Sequence, residues 1–88
     1  MNMFTVYSKP QCPYCDQAKA LLELKGEDFK VIMLDVGQQR VEGQEYISRA
    51  ALVEKFPSVR TVPQIIRSTE TSAQYVGGFT ELRALLHA

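Results

Sequence analysis

The chain carries two cysteines, and they stand three residues apart as Cys12-Pro13-Tyr14-Cys15. Two sulfurs at that spacing, at the start of a helix, can reach one another, so a reversible disulfide is possible. A helix N-terminus adds unpaired backbone N–H groups and partial positive charge, both of which favour a thiolate. The thiolate is the form that attacks disulfides, and Cys-x-x-Cys pairs lower the thiol pKa. The two positions are not equivalent. Cys12 falls at the cap, where it is expected to be open to solvent, whereas Cys15 shares a helical face with Ala18 and Leu22 and is expected further inside. This assigns Cys12 as the attacking nucleophile and Cys15 as the resolving thiol, with Lys9 adding positive charge nearby. Two other uses of the pair stand beside this one. It could be half of a metal site, within one chain or shared as zinc or iron–sulfur between two, or a pair of inert core cysteines. Structural zinc usually takes four protein ligands, and His87 is the one histidine in the chain. A Cys-x-x-Cys following a first strand in a βαβ pattern is, by contrast, a redox signature.

The elements that must hold this pair can be read from hydrophobic spacing. Residues 3–7 (Met-Phe-Thr-Val-Tyr) are short, apolar and β-rich, and predict a buried strand. A helix follows from Pro13, which suits the first helical position. Cys15, Ala18, Leu21 and Leu22 fall on one face of it, and Gly26 is a plausible stop. Residues 29–34 form a second apolar strand, so the first 34 residues make a βαβ unit with a parallel strand pair. The polar stretch 35–43, with two glycines and two glutamines, reads as a loop. Residues 44–56 are expected to be helical, with Ile47, Ala50, Ala51 and Phe56 inward, and Pro57 ends that helix. Pro63 precedes a strand at 64–67, and a polar turn at 68–72 leads to an antiparallel partner at 73–76. After Gly77-Gly78, a last helix over 80–87 turns Leu82, Leu85 and Leu86 inward. The expected order is β-α-β-α-β-β-α, an α/β fold with a four-stranded mixed sheet flanked by helices.

At 88 residues the chain fits one domain, residues 1–88. A domain of this size buries roughly 60–65% of its unfolded surface, so its core is modest. Ten basic residues balance ten acidic ones, so no basic stripe points to nucleic acid. The apolar runs, such as residues 31–34, are far too short to span a bilayer. The N-terminus lacks the pattern of a signal peptide. The expected compartment is a reducing cytoplasm, where a close cysteine pair is more often catalytic or metal-binding than a permanent bridge. A monomer is the default expectation.

Three segments together resemble the dithiol glutaredoxins. Cys12-Pro13-Tyr14-Cys15 is the sequence found at that family's active site, and Ser8-Lys9-Pro10-Gln11 is similar to its approach. Arg60-Thr61-Val62-Pro63-Gln64-Ile65 resembles its Thr-Val-Pro segment, whose proline is cis. Val76-Gly77-Gly78-Phe79-Thr80-Glu81-Leu82 resembles its Gly-Gly segment before the final helix. The matches occur in the family's order and cover nearly the whole chain. The resemblance implies the thioredoxin-like fold and a glutathione-dependent exchange of thiols and disulfides, with no tightly bound cofactor.

Glutathione is an anionic tripeptide with a carboxylate at each end and a thiol between. The resemblance implies a site built from Lys9, Tyr14, Thr61, Val62, Pro63, Gly78, Phe79 and Thr80. The backbone groups of Val62 would pair with the cysteinyl unit like an added strand. The N–H groups of Phe79 and Thr80 would hold the γ-glutamyl carboxylate, and Gly77 and Gly78 would let the backbone come close. Lys9 would meet the other carboxylate, and the Tyr14 ring would cover the mixed disulfide. The chain departs from the family's pattern at Thr80-Glu81, where an aspartate or serine followed by aspartate is common. Its 37–43 loop looks longer than usual, and Gln39, Arg40 and Arg49 all compete for the glycyl carboxylate. The implied partners are glutathione and disulfide-bearing or glutathionylated proteins, a ribonucleotide reductase among them by family analogy. Two alternatives are a protein of this fold reduced by thioredoxin reductase and a two-chain module holding a [2Fe–2S] cluster through Cys12 and glutathione. Pro13 disfavours the latter, because cluster-binding members usually carry a small residue there.

Overall fold

The computed structural model describes residues 2–57 and 62–87. The first strand, β1 (Met3–Ser8), is buried on both faces from Phe4 onward, which is why its residues read as a continuous apolar run rather than an alternation. Helix α1 (Pro13–Leu24) follows with Cys12 as its N-cap and buries Cys15, Ala18 and Leu22, the stripe expected from the spacing. It stops as Gly26 implies. Gly26 takes φ +69°, its N–H donates to Glu23 O at 3.1 Å, and the Glu27 N–H donates to Leu22 O at 3.0 Å. This is the Schellman pattern, which needs a left-handed residue just past the helix. Strand β2 (Phe29–Leu34) returns parallel to β1, from Phe4 opposite Phe29 to Ser8 opposite Met33.

The region expected to be one helix over 44–56 is two elements. Strand β3 (Glu45–Ile47) pairs parallel with β2, and helix α2 (Arg49–Lys55) begins only after it. Ser48 separates them. Its Oγ accepts the Ala51 N–H at 3.1 Å, a cap that starts a helix afresh. The restart also changes the inward face. Leu52 is buried and Phe56 caps the C-terminus, whereas Ala50 and Ala51 are exposed and Ile47 belongs to the strand. The sheet therefore has five strands, not four.

Strand β4 (Gln64–Ser68) runs antiparallel to β1, and β5 (Ala73–Gly77) forms a hairpin with it. Thr69 closes that turn, donating its N–H to Ser72 O and accepting the Ser72 N–H on its hydroxyl. The strand order is β3-β2-β1-β4-β5, so the strand that leads to the cysteines lies at the centre. Between the pairs Ile65–Gly77 and Ile66–Tyr75, β5 carries one extra residue, Val76. Such a bulge bends its strand, here just before helix α3 (Phe79–His87).

Alternation along the strands gives the sheet two cores. Phe4, Val6 and Ile65 face α1 and α3 and pack with Ala18, Leu22 and Leu82. Tyr7, Ile32 and Leu34 face the other way and pack with Leu52 and Phe56. A fully buried Leu or Phe contributes about 1.5–3 kcal/mol, so the α1–α3 side, with Phe4, Leu22 and Leu82 all sealed from water, is the stronger layer.

Candidate active site

The turn from β1 to α1 sets Cys12. Gln11 adopts φ +56°, uncommon for a residue with a Cβ, and this reverses the chain into the helix. No feature of the sequence marks Gln11 for that role. Cys12 and Cys15 are joined as a disulfide, with Cα atoms 5.2 Å apart. The Cys15 N–H points at Cys12 Sγ, 3.2 Å away. When the pair is reduced, that N–H and the helix N-terminus both stabilise a thiolate on Cys12.

Cys12 is not open to solvent as its cap position suggests. It is 5% exposed and Cys15 0%, so the expected ranking survives while the openness does not. The cover comes from 50 residues away: the Val62 carbonyl oxygen lies 3.8 Å from Cys12 Sγ. Val62 and Pro63 are joined by a cis peptide bond.

A groove of about 300 Å³ runs from this segment to the start of α3 and is lined by Tyr14, Val62, Pro63, Gly78, Phe79, Thr80 and Glu81. It gathers six of the residues expected around the cysteines. Tyr14 is exposed, with its ring 6.1 Å from that of Phe79. Lys9 is exposed on the turn before Cys12 and does not line the groove. Thr61 lies outside the described residues.

Glu81 has a second task there. Its Oε1 accepts the Gly78 N–H at 2.7 Å, the returning half of a capping box in which glycine replaces the usual Ser or Thr. The N–H groups of Phe79 and Thr80 belong to the first turn and have no intrahelical acceptor. Gly77 must be glycine for two reasons. Its φ is +122°, and a Cβ there would stand 2.7 Å from Glu81 Oε1.

The 35–44 loop is tied down locally. Asp35 pairs with Arg40, whose guanidinium lies 4.8 Å over the Tyr46 ring. The Tyr46 hydroxyl accepts the Val41 N–H at 2.7 Å, and Gln44 Nε2 donates to Val31 O at 2.7 Å. Arg40 is thus engaged, and Gln39, Arg40 and Arg49 are all exposed. The Gly37 N–H, and after it Arg40, hold the Asp35 carboxyl below the usual aspartate range. A depressed folded-state pKa contributes stability above the unfolded value and loses it as pH falls through the folded one. The tether therefore persists at neutral and mildly acidic pH. In an NMR titration the Asp35 carboxyl should show a midpoint below that of an ordinary aspartate. Arg40→Gln should raise it only part of the way, because the Gly37 N–H remains; an ordinary midpoint in the unmodified protein would refute the tether.

A larger groove of about 490 Å³, lined by Tyr7, Ile32, Glu45, Tyr46, Ile47, Ala51, Glu54 and Lys55, opens on the α2 side of the sheet. Burial pushes the Tyr7 phenol up, but it is the smaller groove that adjoins the cysteines, through Tyr14 and through Val62, whose carbonyl oxygen lies 3.8 Å from Cys12 Sγ. Among the described residues, no group of three or more His, Cys, Asp or Glu could hold a metal ion. Among them also, no helix is long and apolar enough to cross a membrane.

Comparison with known proteins agrees with this geometry. The family model described as Glutaredoxin matches residues 4–70. The chain is 39% identical over 80 residues to Glutaredoxin 3 of Escherichia coli (strain K12), covering 91% of this chain and 81% of that protein. It is 42% identical over 89 residues to a glutaredoxin of Pseudomonas aeruginosa, covering 100% of this chain and 89% of that one. Among solved structures it is similar to glutaredoxin 1 of Francisella tularensis, with a TM-score of 0.64 and 25% identity over 96% of this chain and 91% of that one.

Proposed function

Because the chain belongs to the glutaredoxin family and is a thiol–disulfide oxidoreductase, we propose that it draws its electrons from glutathione and reduces protein disulfides and glutathionylated proteins. The observation that carries this reading is the juxtaposition around Cys12. The nucleophile adjoins one groove that offers both a backbone edge at Val62 and the uncapped first-turn amides of α3. A thiol nucleophile, a strand-like edge and an anion-holding helix start are the three things a cysteinyl tripeptide with terminal carboxylates requires.

The cycle conserves two electrons. Cys12 thiolate attacks one sulfur of the substrate disulfide, forming a mixed disulfide and releasing the other sulfur as a thiolate. With a protein disulfide, Cys15 attacks Cys12 Sγ, frees the reduced client and leaves the Cys12–Cys15 disulfide. With a glutathionylated client, Cys12 takes the glutathionyl group and the protein thiol departs. A second glutathione thiolate then attacks the sulfur of the bound glutathionyl group, so that glutathione disulfide leaves and Cys12 is freed as the thiolate. Two glutathiones likewise return the Cys12–Cys15 disulfide to the dithiol. Glutaredoxins lie at about −200 to −230 mV, within reach of the glutathione pool.

In the groove, Val62 pairs with the cysteinyl unit, and Phe79 and Thr80 N–H groups take the γ-glutamyl carboxylate. Pro63 and Gly78 shape the wall, Tyr14 covers the mixed disulfide, and Lys9 and Thr61 complete the site. Lys9 is the cation offered to the glycyl carboxylate. Glu81, beside the same amides, supplies a negative group for the γ-glutamyl ammonium in place of the family's more usual aspartate. The protein acts as a monomer in a reducing cytoplasm, where a ribonucleotide reductase is one client class by family analogy.

The test is NADPH consumption coupled through glutathione reductase, with the mixed disulfide of glutathione and 2-mercaptoethanol as substrate. Turnover that depends on glutathione supports the reading. Turnover with thioredoxin reductase alone would overturn it while leaving the fold and the cysteine chemistry intact. A visible absorbance band in purified protein, lost on removal of iron, would favour the cluster-holding alternative.

A further inference from the structure

Tyr75 lies on the edge strand β5 and is 52% exposed, the profile of an unremarkable surface aromatic. Its inner side is engaged twice. The hydroxyl donates to Gln64 Oε1, and the ring stands 5.6 Å from that of Phe56. Phe56 is the C-cap of α2, and its ring also meets that of Tyr7 edge-on at 5.3 Å. Gln64 is the first residue of β4, directly after Pro63, and is 5% exposed. The two groups that Tyr75 grips are therefore the end of α2 and the start of β4. Gln64 stands two residues past Val62, whose carbonyl lies against Cys12.

We infer that Tyr75 is a positioning residue for the glutathione edge: by holding Gln64, two residues past Val62, against Phe56 at the end of α2, it sets where Val62 stands in the groove. This rests on the glutathione reading above. Tyr75 does not line the groove, so its influence passes through Gln64 and Phe56. The nucleophile, its N–H partner and the start of α3 are held by other contacts. Losing the grip therefore weakens binding to the edge without changing the chemical step, which raises KM and leaves kcat in place.

Tyr75→Phe removes the hydroxyl and keeps the ring. With the mixed disulfide of glutathione and 2-mercaptoethanol, KM should rise about three- to tenfold, the effect of one part-buried hydrogen bond, with kcat unchanged. Dithiothreitol has no peptide backbone to pair with Val62, so its reduction of the Cys12–Cys15 disulfide should proceed at the wild-type rate. On a Gln64→Ala background the same substitution should add nothing further, since its partner is gone. An unchanged KM in Tyr75→Phe overturns the inference, and so does a parallel fall in kcat and in the dithiothreitol rate, which reports general damage. A wild type that does not use glutathione overturns the glutathione reading and this inference with it. A wild type that does, with KM unmoved in Tyr75→Phe, overturns this inference alone.

Discussion

Cys12→Ser is expected to abolish exchange, lowering the rate by about a thousandfold or more, because a serine hydroxyl is not ionised at neutral pH and the step has no other nucleophile. Cys15→Ser should behave differently. Glutathione can still displace the adduct on Cys12, so turnover of a small glutathione mixed disulfide should stay within about tenfold of wild type. Reduction of protein disulfides, which needs the second thiol to release the client, should largely vanish. The asymmetry follows from position: Cys12 caps the helix and retains 5% exposure, whereas Cys15, one turn inside, is fully buried. After exposure to glutathione disulfide, mass spectrometry of Cys15→Ser should find one glutathionyl group, on Cys12. An active Cys12→Ser protein carrying its adduct on Cys15 would reverse the assignment.

The largest effect on stability is expected from Leu82→Ala. Leu82 is fully buried among Phe4, Val6, Ala18, Leu22 and Ile65, and it is the one fully buried residue of α3. Truncating such a leucine leaves a cavity and costs about 3 kcal/mol. Native domains are stable by only about 5–15 kcal/mol, and at this size the melting temperature should drop by roughly 12–24 °C. Thermal unfolding followed by circular dichroism measures it directly, and a drop of less than about 4 °C would mean that α3 is held to the sheet by something else. The start of α3 forms one wall of the groove, so a partly loosened helix should also weaken binding of glutathione below the melting transition.

How much of this was legible in the residues depends on how far apart the interacting groups lie. Cys12, Pro13 and Gly26 announced the start and stop of α1 because capping is decided within a few residues. The same is true of the hairpin at Thr69–Ser72 and of the αβ unit that joins β1 to β2. Strand β3 was hidden: three residues are too few for a period, and its partner in β2 lies thirteen positions back. Ser48 was the available signal, a cap residue in the middle of an apparent helix. The burial of Cys12 was hidden for the same reason, since its cover is the backbone of Val62. The groove residues were legible through resemblance, not through periodicity. The engagement of Glu81 with Gly78 could have been read from their three-residue spacing, had glycine been allowed as the cap.

The central place of β1 has a consequence for synthesis on the ribosome. β1 precedes both of its neighbours in the chain, and its second partner, β4, ends at Ser68. At about 5–20 residues per second, residues 35–68 take roughly 2–7 s to follow. During that interval the nascent chain can hold β1, α1 and β2 together, with one edge of β1 unpaired and Cys12 already at its helix tip. The lid over that sulfur, Val62, is still being made. A growing chain thus carries its reactive thiol before the wall that selects its partners, and is open meanwhile to adventitious oxidation and to pairing with other unfinished strands.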